Sequence, residues 1–176
     1  IDPPAAAAPS LEAIGRRLIE QARLPGWSAG DRRIQEREAE ICDGNLGRAA
    51  ELSTLSLKGA RCLAESDAKH LSLNRLVEMS PLVAAKLAQW PGDWLCLNGV
   101  ARLDPQAAAH LFTWRGRWLS LNGLQELSDE SGGHLAAWNG QQLELMGLRP
   151  PSAVGHLAQW EAAGGRLFVA DAIRSA

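Results

Sequence analysis

With 176 residues, 46% of them apolar, the chain is long enough for one ordinary core or one elongated repeat array with a small cap, and it holds no apolar run near the roughly 20 residues a membrane-spanning helix needs. Eighteen basic against twenty acidic residues, a net charge of −2, lack the basic excess of a nucleic-acid binder. Three cysteines at wide spacings, Cys42, Cys62 and Cys96, fit neither a disulfide framework nor a zinc signature and are expected as reduced thiols, which points to a reducing compartment.

The opening Ile1-Asp2-Pro3-Pro4 and the alanines Ala5 to Ala8 read as a cloning scar or disordered tail over residues 1–9, with no charged n-region and apolar run of a signal peptide. Residues 10–54 are expected to form a helical N-terminal cap. Leu11, Ile14, Leu18 and Ala22 share one stripe behind Ser10, a suitable N-cap, and Leu24-Pro25-Gly26 ends that helix. A second helix is expected from Asp31 to about Ile41, with Ile34, Glu38 and Ile41 on one side.

From 55 to 176 the dominant signal is self-similarity with a fixed 24-residue period, which marks a repeat architecture before any single motif is weighed. Leu71-Ser72-Leu73-Asn74 returns as Leu95-Cys96-Leu97-Asn98, Leu119-Ser120-Leu121-Asn122 and Leu143-Glu144-Leu145-Met146, and a partial copy starts at Leu167-Phe168-Val169. Leu55-Ser56-Leu57-Lys58 reads as an earlier copy that stands closer to Leu71 than one full period, a shortened or irregular first unit of the kind caps adopt. The leucine alternation predicts a short strand in each unit, one side chain inward and the next outward. A helix then follows from the cap residues Ser80, Asp104, Ser128 and Ser152, with Pro81 and Pro105 at its first position. Leu87, Leu111, Leu135 and Leu157 each precede a tryptophan by one helical turn, which puts Trp90, Trp114, Trp138 and Trp160 on the core stripe. Gly92, Gly116, Gly140 and Gly164 are expected to release the chain into the next strand.

A strand and a helix per unit cannot bury an apolar face alone, whereas stacked units share one core, with strands on a concave face and helices on a convex one. The stretch Leu119-Ser120-Leu121-Asn122-Gly123-Leu124-Gln125-Glu126-Leu127-Ser128-Asp129-Glu130, with Leu135-Ala136 beyond it, resembles the leucine-rich repeats, in particular their helix-bearing, cysteine-containing subclass, with leucine where that subclass often has cysteine. The likeness covers roughly residues 55–170. It departs at the shortened first unit and at Pro150-Pro151-Ser152, which stands where the unit before has Leu127-Ser128. It implies an open α/β leucine-rich-repeat solenoid that recognises a protein partner. Leu24-Pro25-Gly26 and Cys42 ahead of Leu55-Ser56-Leu57 also look faintly like the helical segment of bacterial type III effectors of the ubiquitin-ligase kind, although their repeats are shorter and richer in proline. That likeness implies a substrate-recognition fragment, exported without a cleaved signal peptide; a cytoplasmic protein and a purely structural spacer are the other readings.

Alternation in the strands sends three columns to the concave side. The first runs Thr54, His70, Trp94, Trp118, Gln142, Arg166; the second Ser56, Ser72, Cys96, Ser120, Glu144, Phe168; the third Lys58, Asn74, Asn98, Asn122, Met146. Trp94 and Trp118 stand as neighbouring aromatic groups, suited to a binding hot spot, or else fold into the turn over Gly92 and Gly116. Asn74, Asn98 and Asn122 either face the partner or cap backbone in the turn after each strand. Ser120, Glu144 and Arg166 complete the expected partner-binding set.

Chemistry finds little footing. His70, His110, His134 and His156 form a ladder broken at Lys86, and packed helices about 8 to 10 Å apart cannot bring successive histidines to one ion at about 2 Å. No catalytic signature surrounds the cysteines, and no glycine turn matches a nucleotide fingerprint. The expectation is a chain without enzymatic activity, cofactor or metal, whose partner is a protein and neither nucleic acid nor membrane.

Overall fold

The computed structural model describes residues 29–149 and 153–170. The expected tail, the helix over 11–24 and the Pro150-Pro151-Ser152 break lie outside these residues. The backbone divides into two compact units, Ile1–Arg33 and Ile34–Ala176; of the first, only residues 29–33 are described.

Helix α1 (Ala29–Cys42) is followed by a 3₁₀ turn (Leu46–Glu51) and helix α2 (Leu57–Ala64). Strands and helices then alternate: β1 (His70–Ser72), α3 (Pro81–Leu87), β2 (Trp94–Cys96), α4 (Pro105–Leu111), β3 (Trp118–Ser120), α5 (Asp129–Ala136), β4 (Gln142–Leu145), α6 (Val154–Ala162) and β5 (Arg166–Val169). The five strands form one parallel sheet in sequential order. Its register is the sequence period itself: Leu71, Leu95, Leu119, Leu143 and Leu167 pair in turn.

Each short strand is extended by one more rung, from Leu73 N–H to the Cys96 carbonyl, Leu97 to Ser120 and Leu121 to Glu144, each 2.8 Å. Leu73, Leu97, Leu121 and Leu145 are completely buried, a single stacked column as the alternation requires. Fully burying a leucine side chain is worth roughly 1.5–3 kcal/mol, so these columns and the helix leucines Leu87, Leu111 and Leu135, also at 0% exposure, form the spine of the core. The helices start where their cap residues stand. Ser80 Oγ accepts from Val83 N–H, Asp104 Oδ1 from Gln106 and Ala107, and Ser128 Oγ from Ser131, satisfying amide donors of the first turn that have no partner within the helix.

Leu55-Ser56-Leu57-Lys58 is not a strand. Ser56 caps α2, its hydroxyl accepting from Gly59 N–H, and Leu57 is exposed. Val77 N–H reaches the Ser53 carbonyl at 3.1 Å, so the register of the repeats runs unbroken back through this segment: Leu52 aligns with Leu76, Ser56 with Ser80 and Leu63 with Leu87. The apparently shortened unit is a helix start that resembles the strands. Where that unit should carry its strand, the chain makes the 3₁₀ turn Leu46–Glu51, and Thr54, Ser56 and Lys58 therefore leave the three columns.

The reduced-thiol expectation is also overturned, because Cys42 at the end of α1 is disulfide-bonded to Cys62 in α2. The two helices are drawn together by Ile41, 2% exposed, and by the buried Glu38, whose oxygens accept from Ser56 N–H and Ser56 Oγ, both at 2.6 Å. Arg37 adds a bond to the Glu51 carbonyl and an ion pair with its carboxylate. Cys96 is the remaining free thiol.

The core tryptophans form a ladder of their own. Trp90, Trp114, Trp138 and Trp160 stack face to face with centroids 5.8, 6.3 and 5.6 Å apart. The indole N–H of each of the last three donates to the backbone carbonyl of the tryptophan before it, at 3.0, 2.9 and 2.9 Å. Trp90, first in the row, has its buried Nε1 without an acceptor. The glycines expected to release the chain have a different task at three of the four positions. Gly164 alone among them has a positive φ (106°), whereas a Cβ on Gly92, Gly116 or Gly140 would lie 2.1, 1.9 or 2.1 Å from the ring of Trp90, Trp114 or Trp138. The missing side chain at those glycines lets an indole lie across the backbone.

Candidate functional site

One face of the sheet is covered by the helices; the other carries the non-leucine positions. The first two columns assemble in the expected register, His70–Trp94–Trp118–Gln142–Arg166 and Ser72–Cys96–Ser120–Glu144–Phe168. Trp94 and Trp118 come together as a parallel stack, centroids 3.9 Å apart and planes within 7°, and His70 meets Trp94 edge-on at 5.1 Å. Both tryptophans are half-buried. They do not fold over Gly92 and Gly116, whose space Trp90 and Trp114 already occupy.

Glu144 holds the stack in place. Its Oε1 accepts from Trp118 Nε1 at 3.1 Å and from Gln142 Nε2 at 3.5 Å, and its Oε2 from Ser120 Oγ at 2.9 Å and Asn122 Nδ2 at 3.1 Å. The Ser120 hydroxyl, buried at 3% exposure, also lies 2.8 Å from Asn98 Oδ1. Trp94 Nε1 has no such acceptor, because the position that Glu144 holds relative to Trp118 is held relative to Trp94 by the shorter Ser120. Burial raises the pKa of the neighbouring Cys96 thiol above its ordinary value, the negative charge of Glu144 adds to this, and the Trp94 indole opposes it.

The asparagines are engaged with backbone. Asn74 Oδ1 accepts from Asn98 N–H at 3.3 Å, Asn98 Oδ1 from Asn122 N–H at 2.9 Å, and Asn122 Oδ1 from Met146 N–H at 3.0 Å. A glycine in the following unit belongs to the same device, since a Cβ on Gly99, Gly123 or Gly147 would come within 2.6, 2.0 or 2.3 Å of the carbonyl oxygen of Asn74, Asn98 or Asn122. Asparagine and the glycine of the next unit thus tie one unit to the next; Asn98 keeps its amide nitrogen to offer outward, whereas that of Asn122 already donates to Ser120 Oγ and Glu144.

Beside the stack lies an open groove of about 270 Å³, lined by His70, Asp93, Trp94, Arg117, Trp118, Gln141, Gln142 and Arg166. Arg117 Nε pairs with Asp93 at 3.3 Å with both side chains partly in solvent, a geometry worth little by itself. Arg166 is exposed. Asp93, Arg117 and Gln141 were missing from the expected set. They stand immediately ahead of each strand, where backbone bonds from Asp93 N–H to the Lys69 carbonyl, Arg117 to Asp93 and Gln141 to Arg117 continue the ladder. The same repeat spacing identifies them in the sequence.

Among the described residues, no group of histidine, cysteine, aspartate and glutamate is placed to hold a metal ion, and no helix is long and apolar enough to cross a membrane. Compared with protein-family models, curated proteins and solved structures, the chain matches none.

Proposed function

We propose that this chain is a protein-recognition module of the leucine-rich-repeat solenoid kind, and that its partner docks on the open face of the sheet around Trp94 and Trp118. The observation that carries this reading is the pre-set aromatic pair: two indoles stacked at 3.9 Å, one of them fixed by Glu144, both half-exposed at the edge of a groove. Large apolar groups already held in one rotamer lose little entropy on binding, and tryptophans in such settings dominate interface energies. The sequential parallel strand order, with each strand one repeat on from the last, supports the solenoid reading. The Cys42–Cys62 disulfide favours the exported over the cytoplasmic setting, because disulfides persist in oxidising compartments.

Crosslinking capture with the wild-type chain and with the Trp94→Ala/Trp118→Ala variant tests the proposal. A protein held by the wild type and lost with the variant, whose far-ultraviolet circular dichroism stays native, is the expected result. Equal capture by both moves the interface elsewhere.

A further inference from the structure

Resting on that reading, we infer that the groove beside the Trp94–Trp118 stack takes a peptide segment of the partner in which a large apolar side chain is followed or preceded closely by an acidic one.

Two features of the groove define this ligand. The first is size and lining. At about 270 Å³ it falls just below the range of about 300–1,000 Å³ typical of small-molecule sites, and its wall is the stacked indole pair, so it suits one apolar side chain of a peptide better than a whole cofactor or metabolite. The second is charge. The chain as a whole is net acidic at −2, yet the rim of the sheet at this groove is basic. Lys69, Asp93 and Arg117 occupy successive register positions just before the strands, and Arg166 opens β5.

The one carboxylate lining the groove among the described residues, Asp93, is paired with Arg117, while Lys69 and Arg166 make no ion pair among the described residues. Glu144, which also reaches the stack, is enclosed by donors from Trp118, Ser120, Asn122 and Gln142. A basic partner would meet Arg166 and Arg117 head on, and like charges brought together at an interface strongly disfavour a complex. An acidic side chain meets Arg166, which has no carboxylate partner among the described residues, while its apolar neighbour covers the indoles.

The test is selection of a random displayed peptide library on the immobilised 176-residue chain, with the Trp94→Ala/Trp118→Ala variant as the counter-target. Affinities of the selected peptides are then read by titration against wild type and Arg166→Glu. The expected outcome is a consensus pairing aspartate or glutamate with an aromatic or aliphatic residue, about tenfold or greater weakening by Arg166→Glu, and recovery when the peptide's acid is changed to lysine. Selected peptides that are neutral or basic, or that bind Arg166→Glu undiminished while still requiring the two tryptophans, overturn the charge inference and leave the recognition face standing. No peptide preferring wild type over the tryptophan variant overturns both.

Discussion

Replacing Gly116 with alanine tests the packing rule that sets the spacing between helix and strand in this fold. A Cβ at residue 116 falls 1.9 Å from Trp114 Cζ2 and 2.2 Å from Cη2, far inside ordinary contact. Trp114 cannot simply swing away, because it is 1% exposed, stacked on Trp90 and Trp138, and bonded through its indole N–H to the Trp90 carbonyl. Overpacking of this kind costs about 1–3 kcal/mol, and losing the indole bond with its acceptor left buried adds about 1 kcal/mol or more. The expected loss is therefore about 3 kcal/mol.

Two controls isolate the cause. Gly155→Ala, at a helical position with nothing within 4 Å of the new methyl, should be neutral or stabilising by up to about 1 kcal/mol. In a Trp114→Leu background the alanine at 116 should cost much less, leaving a coupling energy of at least about 1 kcal/mol between the two positions. Urea unfolding followed by circular dichroism gives all four values. Gly116→Ala as stable as wild type, or an undiminished penalty in the Trp114→Leu background, would refute the indole-over-glycine account.

The Cys42–Cys62 bond closes a loop spanning 20 positions, so Cys62→Ala with Cys42→Ala is expected to lower stability by about 3 kcal/mol; thiol titration of the unfolded wild type should find one free cysteine before reduction and three after. Asn98→Ala removes the acceptor used by Asn122 N–H and close to Ser120 Oγ and should cost about 1–3 kcal/mol, whereas Arg115→Ala, an exposed substitution in the turn after α4, should stay within about 0.5 kcal/mol. Because the Cys96 pKa is raised in the folded chain, the stability tied to its protonated thiol is complete below the unfolded thiol's pKa and is lost as pH rises through the folded value. Wild type should therefore lose more stability than Cys96→Ala as pH rises above the ordinary thiol value of about 8.5, and denaturation curves at rising pH check it. Glu144→Ala frees the Trp118 indole N–H and should raise acrylamide quenching of tryptophan fluorescence; unchanged quenching would mean that Glu144 does not hold the stack.

The strand register was legible because Leu95, Leu119 and Leu143 recur at a fixed spacing, and side-chain alternation then places Trp94 beside Trp118 without further information. Other features depend on contacts between distant segments. The short pattern Leu55-Ser56-Leu57-Lys58 suits a strand by alternation alone, and only its neighbours, Gly59 receiving the Ser56 cap and Leu63 in line with Leu87, reveal a helix start. The proximity of Cys42 to Cys62 follows from how α1 lies on α2, fixed by Glu38 and Ile41, which no local spacing encodes.

Trp94 and Trp118 show the same limit at the site. Alternation puts both on the open face, but their mutual stacking covers one face of each ring, so removing them costs stability as well as contact area. An aromatic pair of this kind contributes about 0.5–1.5 kcal/mol beyond burial, a cost that full exposure would not carry. The rim residues Asp93 and Arg117 lie just ahead of the strands, outside the leucine alternation from which the columns are read.

The central claim, recognition through the open face, is tested most directly by following indole N–H resonances while the captured partner, or a selected peptide, is titrated into the labelled chain. The chain holds seven tryptophans, and among the described residues Trp94 and Trp118 belong to the open face. Large shifts of the Trp94 and Trp118 signals, with those of the buried Trp114, Trp138 and Trp160 nearly still, are the result the account requires. Saturable binding that leaves Trp94 and Trp118 unmoved would contradict it.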